Sequence, residues 1–328
     1  MNKLAIIIVN YKGWNALDEC LNSLEDIHSE KYSIEVIVVD NCSNDGNFFV
    51  FQKKFHQFTF ILNSGNNGFA NGCNVGAANA SSDYLLFLNP DTKVDKPNLD
   101  SFFDAYIKHQ SEIAVLSCLQ VDENGKFYKQ HNLLPKFATF FGIPRAIYKL
   151  FFKNKISTVF QENDDFIYPE WITGAVVLLS KKWFDKVSGW NEDFWMYMED
   201  VDLCKRIADV NGKVAVYKKA TIFHKHGGAS RINIKTKALT KTEVIISKHA
   251  YIQNNFSSLS GFFLHSRLIF GVLLEKLLFS IIALPLFFVQ KLQVNKLILK
   301  NYISYLFSVV KNNTFISPRA TKFAVSKS

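Results

Sequence analysis

The sequence predicts an α/β protein built on a mostly parallel sheet flanked by helices. Three observations carry this. Apolar runs such as Leu4–Val9 and Tyr84–Leu88 end abruptly in polar turn residues, as strands buried on both faces do. Between such runs lie segments with apolar residues at helical spacing, for example Leu17, Leu21 and Leu24. The two patterns alternate, which makes a parallel sheet with helices on both faces.

In chain order, LAIIIVNYKG reads as a strand and WNALDECLNSL as a helix. IEVIVVDNCSNDG is a second strand ending in a polar, turn-forming loop, and FTFILN is a third. FANGCNVGAANA reads as a helix of small residues, and DYLLFLNPDT as a fourth strand. A helix is expected over residues 99–110 and a strand at IAVLSCLQVD. Residues 127–168 read as an irregular excursion, a lid or acceptor-side loop. WITGAVVLLS resumes as a strand, followed by a short helix and turn in KKWFDKVSGW. MYMEDVDLCKRIADVNG fits a helix ended by Asn211-Gly212, and KVAVYKKATIFHKHGG is strand-like.

The net charge of +9 is unevenly spread. Residues 231–328 hold 14 Lys/Arg against 2 Asp/Glu, whereas residues 1–230 hold 24 against 27. The expected division is a domain over 1–240 and a basic, apolar helical tail over 241–328. Within the tail the longest charge-free stretch, Leu277 to Gln290, has 14 residues and contains Pro285. A spanning helix needs roughly 20 apolar residues. Helices lying on an anionic membrane face are therefore favoured over a membrane span or a buried hairpin. The tail's apolar content speaks against nucleic acid as its partner. The five cysteines show no CxxC spacing, which fits a reducing compartment. The first apolar run is too short for a signal peptide.

Asp40 and Asp91 both fall at strand exits, where open α/β sheets bind ligands. Asp40 alone is a weak signal, since Asp also forms turns. Glu199, Asp200 and Asp202 cluster at a helix start. Asp202 and Arg206 read as an i,i+4 pair, while Asp200 is a candidate general base. His224 and His226 lie on one strand face beside a glycine turn, which suggests metal or phosphate binding. The glycines Gly65, Gly68, Gly72 and Gly76 match neither G-x-G-x-x-G nor a P-loop, which disfavours a dinucleotide dehydrogenase or a P-loop NTPase.

The order IIIVNYKGW, VIVVDNCSNDG, NNGFANGCNVG, LFLNPDT, WITGAVVLLS, GWNEDFWMYMEDVDLCKR and HKHGGAS resembles the family 2 glycosyltransferases, most of all the bacterial rhamnosyltransferase-like branch. The resemblance covers residues 3–255 and the tail is similar too. It implies a GT-A fold and inverting transfer of a sugar from a nucleotide-diphosphate donor to a glycan or polyprenyl-diphosphate-linked glycan. dTDP-rhamnose is the first expectation, UDP-sugars the second and GDP-sugars the third. It implies donor contacts from Asn10, Asp40, Asn67, Gly68, Asn71, Asn89 and Asp91. It places Trp171, Gly174 and Glu199 on the acceptor side and gives the base role to Asp200. It implies Mn²⁺ or Mg²⁺ on Asp91 and His224, with His226 as rival. The family's Asp-x-Asp motif reads Asn89-Pro90-Asp91 here. Lacking the first Asp, the chain also admits a non-catalytic, membrane-associated nucleotide-sugar-binding scaffold. By the same resemblance the protein is bacterial and peripheral on the cytoplasmic face of the plasma membrane. A nucleotidyltransferase is disfavoured, because NYKGWNAL is a poor phosphate loop.

Overall fold

The structure is a computed structural model that describes residues 1–141, 150–151, 160–225, 233–283, 285 and 288–321. The chain divides into two compact units. The first comprises Met1–Asn66, Gly72–Trp190 and Asp200–His226; the second comprises Asn67–Asn71, Asn191–Glu199 and Gly227–Ser328.

The chain runs β1 (Asn2–Asn10), α1 (Trp14–Glu25), β2 (Tyr32–Asp40), α2 (Asn47–Lys54), β3 (Thr59–Leu62), α3 (Phe69–Asn79), β4 (Tyr84–Leu88), β5 (Thr92–Lys93), α4 (Lys96–His109) and β6 (Ile113–Val121). It continues through β7 (His131–Asn132), β8 (Gln161–Glu162), β9 (Phe166–Tyr168), β10 (Trp171–Ile172), β11 (Val176–Ser180), α5 (Lys181–Lys186), α6 (Glu199–Asp209) and β12 (Lys213–His224). The main sheet has the order β3-β2-β1-β4-β11-β6-β12-β9-β8, with β5 paired to β12. β3, β2, β1 and β4 are parallel, as the continuous apolar runs predict. Beyond β4 antiparallel strands enter, but β6 and β12 keep the direction of β4, so the sheet is mostly parallel, as expected. β11 is antiparallel to both β4 and β6, and β9 is antiparallel to β12 and β8. Local apolar patterning gives a strand its burial but not its direction.

The order reverses between β1 and β4, the topological switch point of such sheets. The ends of β1, β2 and β4 therefore open a crevice, and the residues expected there are Asn10, Asp40, Asn89 and Asp91. α1 buries Trp14, Leu17, Cys20, Leu21 and Leu24, the helical stripe read from the sequence. α4 begins at Lys96, three residues before the expected start, because Asp95 caps it by accepting from Asn98 N–H and Pro97 suits its first turn. α2 has no counterpart in the sequence reading, and NFFVFQKK carries no clean helical stripe. The expected excursion over 127–168 is only partly irregular. Its end forms the β8–β9 hairpin, which extends the main sheet; residues 142–149 and 152–159 lie outside the described residues.

α3 packs through its glycines. A Cβ at Gly72 would lie 2.6 Å from Val9 Cγ1, and one at Gly76 would run into Ile7 Cγ2. The small-residue helix thus sits against β1 with no room for side chains. All five cysteines are free, and Cys20, Cys73, Cys118 and Cys204 are buried as small hydrophobes.

The second unit contains α7 (Ile234–Asn255), α8 (Ser258–Ile282) and α9 (Gln290–Asn312). The domain boundary expected at 240 falls inside α7. α8 packs polar groups inward. His265 is buried with Leu264, Leu268 and Val272. His265 Nδ1 lies 2.7 Å from His249 Nδ1, and His249 Nε2 lies 2.7 Å from the Tyr302 hydroxyl. Burial holds both imidazoles below the usual histidine range, His265 at about 4, so both are neutral at pH 7. Glu243, fully buried, pairs with Arg319 and accepts from Ser317 Oγ at 3.0 Å. Outward, the helices expose Phe262 (65%), Phe270 (69%) and Phe307 (72%). Among the described residues no helix is long and apolar enough to cross a membrane.

Gly72→Ala is expected to destabilise the protein by about 1–3 kcal/mol through overpacking against Val9. Gly271→Ala, in α8 with open space around its Cβ, is expected to stabilise by up to ~1 kcal/mol. Urea midpoints measure both; equal midpoints would contradict the packing role of Gly72.

Candidate active site

The strand ends of the first unit carry an ordered polar floor. Asn10 and Asp40 are in register on β1 and β2. Asp40 Oδ1 accepts from Asn10 Nδ2 at 2.9 Å and from Ser43 Oγ at 2.6 Å, and Oδ2 accepts from Ser43 N–H at 2.9 Å. Ser43 Oγ in turn accepts from Lys12 N–H at 2.8 Å. Asn10 and Asp40 are both fully buried. The carboxylate holds two loops, whose Lys12, Cys42 and Asn44 take left-handed φ values of 58°, 59° and 51°. A strand-end Asp followed by Ser three residues on is the sequence signal for such a turn.

Asn89 and Asp91 follow β4. The antiparallel course of β11 matters here, because Asn89 N–H donates to Ala175 O at 2.9 Å. The residue before, Gly174, donates its N–H to Asp200 Oδ2 at 3.0 Å. Asp200 thereby reaches the sheet edge where β4 ends. Its Oδ1 accepts from Val201 N–H at 2.8 Å in the first turn of α6. Burial pushes its carboxyl up to about 6, against the pull of the Val201 and Gly174 N–H groups. Asp202 and Arg206 form the expected i,i+4 pair at 2.7 Å, and Arg206 also donates to the carbonyls of Val187 and Gly189. Trp171 is half-buried and donates Nε1–H to Leu133 O at 2.9 Å across the β10–β7 ladder.

β12 ends at His224, which pairs with Thr92 of β5. That pairing sets His224 Nε2 3.2 Å from Asp91 Oδ1. On its other side, His224 Nδ1 lies 2.9 Å from Gln120 Oε1. Gln120 is fully buried on β6 and did not stand out in the sequence; a lone amide inside IAVLSCLQVD was the available signal. Asp91 and His224 can offer one oxygen and one nitrogen to a cation. Among the described residues no group of three or more His, Cys, Asp or Glu side chains gathers to hold a metal. His226 lies outside the described residues.

Asn67, Gly68, Asn71 and Glu199 belong to the second unit. Gly68 has φ +95°, and a Cβ there would strike the Trp195 carbonyl, so only glycine fits. Phe69 N–H donates to Trp195 O at 3.1 Å, and Asn71 Nδ2 donates to Glu192 Oε2 at 2.9 Å. The 191–199 segment is further held by Ser247 Oγ, which donates to Met196 O at 2.7 Å. Tyr197 and Met198 carry φ values of 72° and 68°, a strain of about 1–3 kcal/mol each. That is why α6 begins at Glu199 rather than at Met196, where the sequence pattern starts it. Glu199 itself is buried.

Residues 5–165 match the model of glycosyl transferase family 2, and residues 157–227 match the model described as the N-terminal domain of galactosyltransferase. An N-acetylglucosaminyl-diphospho-decaprenol L-rhamnosyltransferase of Mycobacterium tuberculosis is 24% identical over 239 residues, covering 67% of this chain and 75% of the relative. The rhamnosyltransferase WbbL of Escherichia coli is 24% identical over 196 residues, covering 56% and 70%. The poly(ribitol-phosphate) beta-N-acetylglucosaminyltransferase TarS of Staphylococcus aureus is 25% identical over 178 residues, covering 53% and 31%. Among solved structures, GalNAc-T7 with UDP, GalNAc and Mn²⁺ superposes with a TM-score of 0.52 at 15% identity. That match covers 68% of this chain and 43% of the other, and it shows the fold alone. The fold is GT-A, and the chain carries a glycosyl transferase family 2 domain.

Proposed function

We propose that the protein is an inverting glycosyltransferase that moves a sugar from a nucleotide-diphosphate donor to an acceptor hydroxyl. The observation that carries this is Asp200. Its carboxyl, raised by burial to about 6, is anchored by two backbone N–H groups at the sheet edge where β4 delivers Asp91. A carboxylate with that value is ionised at pH 7 yet basic enough to accept a proton in the transition state. Asp200 takes the acceptor's hydroxyl proton as the oxygen attacks the anomeric carbon, and the nucleoside diphosphate leaves from the opposite face. One displacement inverts the centre.

Asp91 and His224 fit a divalent cation, since their oxygen and nitrogen converge at 3.2 Å and a mixed donor set suits Mn²⁺ better than Mg²⁺. When bound, the cation would neutralise charge on the leaving diphosphate. Asn10, Asp40 and Ser43 hold the loops that receive the nucleotide. Two relatives named rhamnosyltransferases support a rhamnosyl donor, and the diphospho-decaprenol in one name supports a lipid-linked glycan acceptor in cell-surface polysaccharide synthesis. The name of TarS, an N-acetylglucosaminyltransferase, supports a donor sugar other than rhamnose, and a UDP-sugar stays the alternative donor. Asn89 keeps alive the reading of a binding scaffold without catalysis. The exposed phenylalanines of the second unit and its basic charge support peripheral attachment to an anionic membrane, on the cytoplasmic face where such acceptors are built.

With a donor and acceptor in hand, kcat/KM should fall in inverse proportion to proton concentration below about pH 6, because protonated Asp200 cannot act as base. Asp200→Asn should lower kcat by about 10²–10⁴-fold with nucleotide affinity retained. A variant that turns over normally, or that loses nucleotide binding and activity together, would count against the base role. A scaffold would show donor binding but no transfer in the unaltered protein.

Membrane attachment is best tested with the full chain, since truncation would strip buried Glu243 of Arg319. The protein should float with phosphatidylglycerol vesicles, and a Phe262→Ser, Phe270→Ser double variant should stay in solution. Equal partitioning of the two proteins would reject attachment through this face.

A further inference from the structure

We infer that Gln120 is a positioning residue that accepts from His224 Nδ1–H when His224 ligates the cation beside Asp91, and so supports the tautomer that can bind it. The inference rests on the metal reading above. It starts from three atoms in a row: Gln120 Oε1 lies 2.9 Å from His224 Nδ1, and His224 Nε2 lies 3.2 Å from Asp91 Oδ1. Gln120 is fully buried, and its Nε2 has no hydrogen-bond partner among the described residues. A buried polar group in that condition calls for a physical reason.

The reason lies in the symmetry of an amide. Which way an amide faces and which imidazole nitrogen bears the proton are set together by their hydrogen bonds. In one arrangement Gln120 Oε1 accepts from Nδ1–H. The Nε2 lone pair then faces the Asp91 carboxylate, and two acceptors 3.2 Å apart repel unless a cation joins them. In the other arrangement the amide is turned over. Its N–H donates to Nδ1, and Nε2–H donates to Asp91. The first arrangement is the one that binds metal; the second satisfies the site without it. Gln120 can serve both, because it offers a donor and an acceptor on one rigid plane. A histidine ligand held this way at its second nitrogen is a common requirement of metal sites.

The variants separate this role from mere packing. Glutamate at 120 can only accept when ionised, so Gln120→Glu locks the proton on Nδ1 and should bind Mn²⁺ at least as tightly as the unaltered protein. Methionine fills similar space without a hydrogen bond. Gln120→Met removes the Oε1 acceptor from Nδ1–H in the metal-bound form and should weaken Mn²⁺ binding by about 10–100-fold. Free Mn²⁺ would be read by electron paramagnetic resonance at fixed pH, with dTDP or UDP present. A packing role predicts that both variants weaken binding alike.

Because a buried glutamate can impair folding, a second measurement uses the unaltered protein. In ¹⁵N-histidine spectra, His224 should carry its proton on Nδ1 when Mg²⁺ and the nucleoside diphosphate are added. Gln120→Met binding Mn²⁺ with unchanged affinity, or a proton that stays on Nε2 with Mg²⁺ bound, would overturn the inference alone. If Asp91→Ala also binds Mn²⁺ as the unaltered protein does, the metal reading fails and takes this inference with it.

Discussion

The candidate site depends on one pairing: two residues of β5 laid antiparallel to the last residues of β12. It brings Asp91, just past β4, against His224, far later in the chain. Neither residue could find the other through local structure. β12 is parallel to β6 and shifts register between Tyr217 and Thr221, and only after that shift do Gln120 and Ile222 come into line. Gln120 and His224 then share a face of the sheet, since residues two apart point the same way. Backbone bonds close the arrangement, with Lys225 N–H donating to Asp91 O at 2.9 Å. The sheet thus fixes the spacing of the two groups more firmly than any loop could.

Asp200 illustrates a different balance. Its carboxylate has two backbone donors at a helix start, which favours the ionised form, yet burial outweighs them. The result is a carboxyl held at about 6, ionised at neutral pH. At the neighbouring strand end Asp40 accepts three hydrogen bonds from Asn10 and Ser43 and ties the exits of β1 and β2 together. Two aspartates of similar appearance in sequence therefore sit in unlike settings because of what donates to them.

Much of this was legible before any coordinates. The central strands announced themselves as apolar runs, α1 and α6 as periodic stripes, and Asp202–Arg206 as a helical pair. Asp91, Asp200 and His224 stand out from position and type, and the structure brings Asp91 and His224 together. The rest was hidden for physical reasons. Strand direction leaves no local trace, so the antiparallel course of β11 and β9 was not legible. Two-residue β5 is too short for any periodicity. Gln120 looked like a stray polar residue, because its meaning depends on a partner 104 positions away. In the tail, pattern and charge suggested surface helices; the buried His249–His265–Tyr302 chain and the Glu243–Arg319 pair, which give them an inside, could not be paired from sequence.

The most direct test of the central claim, that Asp91 and His224 form a metal-dependent donor site, is calorimetric titration with dTDP, UDP and GDP in Mn²⁺ and again in EDTA, on the unaltered protein and on Asp91→Ala. The account predicts that one nucleotide binds tightly only with Mn²⁺ and that Asp91→Ala loses that binding. Equal affinity in EDTA, or an Asp91→Ala variant that binds as well as the unaltered protein, would contradict it.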